Sequence, residues 1–594
     1  MKTVNYSSVD LLSGYLFDKQ ELNRKVTLSS VYDRFSETGR IGAFKHGYPE
    51  KDSIRPHYFW DSDVAKWMEG AAYSLAKHPD PTLEAKVDEI IDDIEKNQHP
   101  DGYFNIYFTV VEPEKRWSNR DWHELYCAGH LMEAAVAYSE ATGKTKLLSC
   151  MEKYADYIEK VFVTDASAAF VTPGHEEIEL ALIRMYRHTG NKKYLDLAAF
   201  FINKRGTEDD IGRSDYNQSH IPVREQSSAV GHSVRAVYLY TGMAYLAAET
   251  GDEDLKAACK RLWNDIVNSK MYITGGLGST CIGEAFTTPY DLPNDQAYTE
   301  TCAGIGLMFF ANAMLALENN AEYADVIERV LYNGVLSGLS HSGKEFFYEN
   351  PLEINRSEHF RSSYGERRFP AQRRVECFGC SCCPPNINRL LSSLGNYVYG
   401  SENDTLYINQ FITSELNCNG ISANIKTDYP IGCNVSINAR GVSRIAIRIP
   451  SWCKEFKVDK IYTEENGYAV IENSGDTVTV TLDMSPRLVW SDPKVLRNAG
   501  RVAVTRGPIV YCAEGIDNCE NELHSYILSE NSSFEEVMEN SLVSLKVGCK
   551  KRMNGNKLYR YTRSEAIDVI LKLIPYNYFA NRETTDMRVW FSYE

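Results

Sequence analysis

The sequence predicts an all-α toroid of the (α/α)6 type over residues 1–400, followed by β-sandwich units at 401–500 and 501–594. Three observations carry this prediction. Apolar residues recur at helical spacing through the first two-thirds of the chain. The helical segments come in pairs, and Thr142-Gly143, Thr189-Gly190 and Thr250-Gly251 punctuate three of the pairs. Beyond about residue 400 the apolar period falls to two, between turn residues.

The first helix opens on Asp63-Val64-Ala65-Lys66-Trp67-Met68-Glu69, and Val87, Ile90, Ile91 and Ile94 mark a second over 83–98. Others follow at 124–142, 146–162, 176–189, 192–205, 234–250, 253–269, 300–318, 323–339 and 386–398. Each Thr-Gly pair ends a helix, because glycine supplies the left-handed conformation that stops it. The short link then turns the next helix antiparallel. About six such hairpins suggest a closed ring, with an open helical solenoid as the alternative. Gly143 to Gly190 is 47 residues and Gly190 to Gly251 is 61, and this uneven spacing favours a ring with long functional loops. Strands are expected at 405–411, 433–437, 444–449 and 477–482, as an antiparallel sandwich. A further β-rich stretch begins at 502–511.

Composition narrows the functional classes. A chain of 594 residues exceeds one ordinary core, so two or three domains are expected. Lys and Arg number 64 and Asp and Glu 81, giving a net charge of −17. Such a surface repels phosphate backbones, so nucleic acid is not an expected partner. No apolar run reaches the ~18–20 residues that span a bilayer, so no membrane association is expected. No signal-type stretch follows Met1-Lys2-Thr3-Val4-Asn5-Tyr6, and a cytoplasmic location is the expectation. Fifteen scattered cysteines suggest buried free thiols, not a disulfide framework. The 38 tyrosines and 8 tryptophans suit a sugar-binding cleft, although more of them fill cores.

Four residues then stand apart. Cys382 and Cys383 are neighbours within Cys380-Ser381-Cys382-Cys383-Pro384-Pro385-Asn386, and Glu300-Thr301-Cys302 lies upstream. Adjacent cysteines pair poorly with each other but converge well on one soft ion. Glu300, Cys302, Cys382 and Cys383 make an acceptable tetrahedral zinc set. The glycine-rich loop Ile273-Thr274-Gly275-Gly276-Leu277-Gly278-Ser279 lacks the lysine and the strand–helix frame of a phosphate loop. Its use is to deliver Glu284, sixteen residues before Glu300. Glycoside hydrolysis needs an acid for the leaving oxygen and a second group on the other face of the sugar. Glu284 suits the first role. Glu300 or a metal-held thiolate suits the second. On the residues alone, a structural zinc knot explains the cluster as well as a nucleophile does.

The ordered set of motifs resembles the retaining β-L-arabinofuranosidases of glycoside hydrolase family 127. The resemblance rests on Gly275-Gly276-Leu277-Gly278-Ser279 with Gly283-Glu284-Ala285-Phe286, Tyr290-Asp291-Leu292-Pro293-Asn294-Asp295, Glu300-Thr301-Cys302-Ala303 and the Cys380–Asn386 segment. It extends to Asp61–Trp67, Gln98 with Asp101-Gly102-Tyr103, Glu124–His130 and Leu331–Leu336. The resemblance implies Glu284 as general acid/base and Cys382 as the nucleophile of a thioglycosyl intermediate. It implies zinc held by Glu300, Cys302, Cys382 and Cys383, with Cys380 nearby but not a ligand. A lone histidine is more often a structural hydrogen-bonder, yet the resemblance makes His123, His175 and His232 sugar contacts. Tyr348 and Glu328 are weaker candidates of the same kind, with a packing role equally open. Tyr245, in Gly242-Met243-Ala244-Tyr245, stands where similar proteins carry an acid. The implied partner is an arabinose-containing oligosaccharide or glycoconjugate, and a homodimer is left open. Three alternatives stand beside this reading: hydrolysis of another rare pentose-like plant sugar, a carbohydrate-binding protein with a structural zinc, and a different enzyme on the same toroid, such as a lyase or an epimerase, which would not need Cys382.

Overall fold

A computed structural model describes residues 1–46, 55–359, 371–539, 541–555 and 557–594. Six helices form its centre: Trp60–Lys77, Glu124–Thr142, Ile178–Thr189, Ser233–Thr250, Thr301–Leu317 and Cys383–Ser392. Each packs against the next in that order, and the last returns to the first. They are largely buried; from Glu124 to Ser139 each residue is buried. Pro81–Asn97, Lys146–Glu159, Lys192–Lys204, Glu253–Ser269 and Ala321–Arg329 lie outside and bury a stripe. In Pro81–Asn97 that stripe is Val87, Ile90, Ile91 and Ile94.

The hairpin links are as expected. Gly143, Gly190 and Gly251 take φ of 74°, 72° and 70°, and each N–H donates to a carbonyl in the last turn of its helix. Gly70 has a different use. A Cβ there would meet the Arg389 nitrogen at 2.9 Å, so the first and sixth inner helices cross closely. Arg389 also donates to Glu69 at 2.9 Å and Glu133 at 2.6 Å, and Arg184 reaches the same two carboxylates.

Several elements differ from the sequence reading. The last inner helix starts at Cys383, not 386, because Pro384 and Pro385 occupy its first turn, where no N–H is needed. The 323–339 segment ends as α-helix at Arg329 and continues in wider and tighter turns. Helices Tyr15–Leu22 and Leu28–Glu37 went unforeseen; both pack on the sixth inner helix, and the second also on the first. Lys2–Thr3 pairs with Tyr399–Glu402, and Val9–Ser13 with Thr413–Cys418. Residues 1–400 are therefore not wholly helical, since the chain start completes sheets formed some 400 residues later.

The next region holds two six-stranded sheets. Leu406, Ile408, Ile445 and Ile447 from one and Val435, Ile437, Val478 and Val480 from the other share one apolar cluster. The pairing is not purely antiparallel, because Thr405–Ile408 runs parallel to Arg444–Arg448. Arg487–Val489 already pairs with Arg501–Arg506, so the last region starts before residue 500. There the strands pair in a closed ladder. Arg501–Arg506 joins Phe591–Tyr593, then Tyr526–Leu528, Leu542–Arg552, Ala566–Pro575 and Ile509–Glu514, which pairs back to the start. No helix among the described residues is long and apolar enough to cross a membrane.

Glu328 belongs to the junction between the helices and the first sheets. It is 1% exposed and accepts from Arg448, from Tyr429 Oη at 2.6 Å and from Trp452 Nε1 at 3.0 Å. This corrects the expectation that it contacts sugar. Its negative charge answers the buried Arg448, which also pairs with Asp325. Glu328→Ala leaves that guanidinium partly unpaired and should cost about 3 kcal/mol. A lower unfolding midpoint with undiminished activity per folded molecule is expected. Lost activity at unchanged stability would return Glu328 to the site.

Candidate active site

The six inner helices share one polarity, so their N-termini meet at one rim. A cavity of roughly 500 Å³, open mouth included, lies there. Its walls come from the start of every inner helix: Asp63 from the first, His123 and Tyr126 from the second, His175 before the third, His232 and Val234 at the fourth, Glu300 and Cys302 at the fifth and Cys382 at the sixth. Four of these occupy cap positions, namely His123, His232, Glu300 and Cys382. The helix ends there carry partial positive charge, which favours carboxylates and thiolates.

The cysteine cluster lies on one side of the cavity. The Cys302 sulfur is 3.5 Å from that of Cys382 and 3.3 Å from that of Cys383, and Cys382 and Cys383 are 3.8 Å apart. Glu300 Oε1 is 3.7 Å and 3.9 Å from the Cys382 and Cys383 sulfurs. Thiolates about 2.3 Å from one zinc ion lie about 3.8 Å apart at tetrahedral angles. The spacing therefore fits a shared metal, and all fifteen cysteines are free thiols. Glu300 Oε2 is buried without a hydrogen-bond partner among the described residues, as a second metal-facing oxygen would be. Sulfur contacts from Cys302, Cys380 and Cys383 hold the Cys382 thiol well below its ordinary pKa, against burial. Burial chiefly pushes Cys302 and Cys383 up.

Loop contacts fix this geometry. Arg40 donates to the Phe378 and Gly379 carbonyls and to Asp63, tying the cysteine loop to the first inner helix. Glu300 forms a β-bridge with Glu349, and the Thr301 N–H donates to the Tyr348 carbonyl at 2.9 Å. These pairings bring Tyr348 Oη to 3.5 Å from the Cys382 sulfur. Burial, then Cys380 and Cys382, raises the Tyr348 phenol, so it stays a donor. Cys380 lines the cavity outside the four-atom cluster.

Glu284 also lines the cavity. It sits at φ 53°, directly after Gly283 at φ 69°, in a left-handed turn that projects it from the long loop. Its Oε2 is 2.6 Å from His232 Nε2, and its Oε1 accepts from Tyr298 Oη at 2.7 Å. Burial pushes the carboxyl up, but His232 and Tyr298 outweigh it and hold Glu284 below its ordinary value.

The histidines form an arc. His123 and His175 have ring centres 5.6 Å apart, as do His175 and His232. Backbone partners assign their tautomers. His123 Nδ1 donates to the Asp121 carbonyl and His175 Nδ1 to that of Glu176, so both present Nε2 as an acceptor. His232 Nδ1 accepts from the Val234 N–H, so its Nε2 carries the proton given to Glu284. Burial, then Arg235, pulls His123 and His175 down; burial also lowers His232 against the pull of Glu284. All three are neutral hydrogen-bonding groups, suited to hydroxyls.

The cavity therefore gathers every expected site residue except Cys383, which sits behind it in the cluster, and Glu328. Sequence reasoning missed Phe59, Ser62, Asp63, Tyr126 and Tyr298. Ser62, Asp63 and Tyr126 fell in segments already singled out, and their positions in the first turns of helices were the available signal.

Comparison with known proteins gives the same picture. The chain matches the GH127 β-L-arabinofuranosidase catalytic domain over residues 8–396, the GH127 middle domain over 405–484 and the family's C-terminal domain over 486–592. It is 36% identical to the non-reducing end β-L-arabinofuranosidase of Bifidobacterium longum subsp. longum, over 91% of this chain and 90% of that protein. A crystal structure of a GH127 β-L-arabinofuranosidase from Geobacillus stearothermophilus T6 superposes with a TM-score of 0.93, at 39% identity over 99% of this chain and 100% of that one. A second GH127 β-arabinofuranosidase structure gives 0.90, at 35% identity over 100% and 98%. With acid, thiol cluster and histidine arc in one cavity and the family matched along its length, the chain belongs to glycoside hydrolase family 127 and is a glycosidase.

Proposed function

We propose that this protein is a retaining glycosidase that releases a non-reducing-end β-L-arabinofuranosyl residue from an oligosaccharide or glycoconjugate, through a thioglycosyl intermediate on Cys382. One observation carries the reading: an ionisable thiol, Cys382, and a hydrogen-bonded carboxyl, Glu284, line the same small cavity. The named activity of the Bifidobacterium relative supports the sugar. The cyclic contact order of the inner helices supports an (α/α)6 toroid as the catalytic unit, with β domains dividing near residues 400 and 485.

In the first step the Cys382 sulfur attacks the anomeric carbon. The bond from that carbon to the leaving oxygen breaks, and Glu284 gives the oxygen its proton. In the second step Glu284, now a carboxylate, takes a proton from water. The water oxygen attacks the same carbon and the carbon–sulfur bond breaks. Two inversions leave the configuration retained. His232 and Tyr298 favour the carboxylate in the resting site, which suits the base step directly. The acid step draws on the protonated minority form. His123 and His175 accept from sugar hydroxyls through Nε2, and Tyr348 Oη steadies the sulfur. Zinc held by Glu300, Cys302, Cys382 and Cys383 would keep the thiolate deprotonated at neutral pH and make it a better leaving group.

About one zinc per chain is expected by metal analysis of protein purified without chelator, and stripping it should abolish turnover. A metal-free enzyme with full activity would remove the zinc assignment. Glu284→Gln should lower activity by roughly 10²–10⁴-fold, and less for a leaving group that needs no proton. Wild-type rates on both substrate kinds would show that Glu284 is not the acid. An electrophilic furanose analogue should label Cys382, as located by peptide mass spectrometry, and early-time NMR should show retention. A label on Glu300, or an inverted first product, would overturn the cysteine mechanism and leave the glycosidase reading in place.

A further inference from the structure

A second cleft, of about 710 Å³ with its open mouth included, lies where the helical region meets the last β region. It shares no lining residue with the catalytic cavity. Arg329, the last residue of the outer helix Ala321–Arg329, lines it, as does Tyr290 from the loop between Glu284 and Glu300. Trp490, Asn498 and Trp590 come from the β side. Three of these side chains carry donors without a partner among the described residues. Trp590 is 4% exposed, yet its indole N–H is neither hydrogen-bonded nor sealed from solvent. Asn498 Oδ1 accepts from Asn294 Nδ2 at 2.8 Å, which leaves the buried Asn498 its own Nδ2 for the cleft. Arg329 forms no hydrogen bond or ion pair among the described residues, because Arg448 takes both acids of its helix, Asp325 and Glu328. Its nitrogens are not sealed in the interior either, so the guanidinium meets the solvent of the cleft. Burial lowers the Arg329 pKa against the pull of those two acids.

A guanidinium and an indole N–H donate and never accept, so their complement is a group made of acceptors. The guanidinium fork matches both oxygens of a carboxylate. The acid that lines the cleft, Asp492, already accepts from the Lys494 N–H at 2.8 Å, and Lys494 Nζ lies 4.7 Å over the Tyr290 ring, adding positive charge at the rim. Trp490 is 53% exposed and is held at 86° to the Tyr593 ring, 5.6 Å away. A fixed, exposed indole offers a flat apolar surface to one face of a sugar ring. We propose that this cleft is a second carbohydrate site, which holds a uronic acid residue by its carboxylate at Arg329 and by its ring at Trp490. The carboxylate follows from the donors. The choice of a sugar to carry it rests on the glycosidase reading above.

The test titrates trigalacturonate, its methyl ester and propionate into wild type, Arg329→Gln and Trp490→Ala, with binding read by calorimetry. Trigalacturonate should bind, and its uncharged ester at least about tenfold more weakly, since hydrogen bonds to a charged group are the strong ones. Propionate, which has the carboxylate without the ring, should also bind more weakly. Each substitution should weaken trigalacturonate by at least about tenfold. Hydrolysis of a small aryl arabinofuranoside should be unchanged in both variants, because neither residue lines the catalytic cavity. Arg329→Gln should melt at or above the wild-type temperature, since Arg329 has no partner to lose. Trp490 is exposed, so Trp490→Ala tests the cleft without touching the core. No binding of trigalacturonate, equal binding of its ester, or full affinity in either variant would overturn the proposal. Propionate bound as tightly as trigalacturonate would overturn it too, as would an early-melting Arg329→Gln, the mark of a structural partner. A wild type that binds trigalacturonate but hydrolyses no arabinofuranoside would sink the proposed activity and leave the cleft standing. Hydrolysis without such binding removes the cleft alone.

Discussion

The shared polarity of six inner helices is the constraint on which the rest of this site depends. Each outer helix carries the chain back, so each inner helix restarts at the same rim. Short links such as those at Gly143, Gly190 and Gly251 close the far end and leave the long loops at the near end. Side chains at caps and first turns then point into one space without any special loop. Helix ends of the same sign also add their fields, each worth about 0.3–1 kcal/mol for a nearby anion and up to ~2 kcal/mol when partly buried. A site made of carboxylates and thiolates is at home there.

Within that field the individual partners divide the labour. Four sulfur and oxygen atoms sit at metal-sharing distances, but the thiols are not equivalent. Cys382 is approached by the other sulfurs and by Tyr348, whereas Cys302 and Cys383 are raised mainly by burial. Glu284 is likewise set by two neighbours, a protonated His232 Nε2 and the Tyr298 hydroxyl. The tautomer of each histidine follows from one backbone contact, which decides whether it offers the cavity a donor or an acceptor.

The interior is heavily charged for a helical core. Arg389, Arg184, Glu69 and Glu133 form one connected group across the inner helices, and Arg448, Glu328 and Asp325 form another at the junction with the sheets. Buried pairs of this kind add little net stability against an apolar replacement, but breaking one partner is costly. Their geometric effect is to fix which helix meets which. Gly70 does the same by steric means, since a side chain there would push the first and sixth inner helices apart.

Much of this was legible in the sequence, for local reasons. Helical period and Thr-Gly stops depend on near neighbours, so the hairpins at 124–159, 178–204 and 233–269 were readable almost to the residue. Residue chemistry singled out Glu300, Cys302, Cys382, Cys383 and Glu284, and motif order tied them to a family. Pairing was not legible. Nothing in Lys2–Thr3 or Val9–Ser13 announces strands 400 residues away, and two or five residues are too few to show a period. Glu328 read as a site candidate because a carboxylate looks alike wherever it stands; only Arg448, 120 residues on, places it in the junction. Lys66 and Tyr126 sat in recognised segments, yet one reads as an ordinary helix cation and the other as a core aromatic. Their hydrogen bond at 3.0 Å arises from the packing of two inner helices, a contact between distant segments that local sequence does not encode.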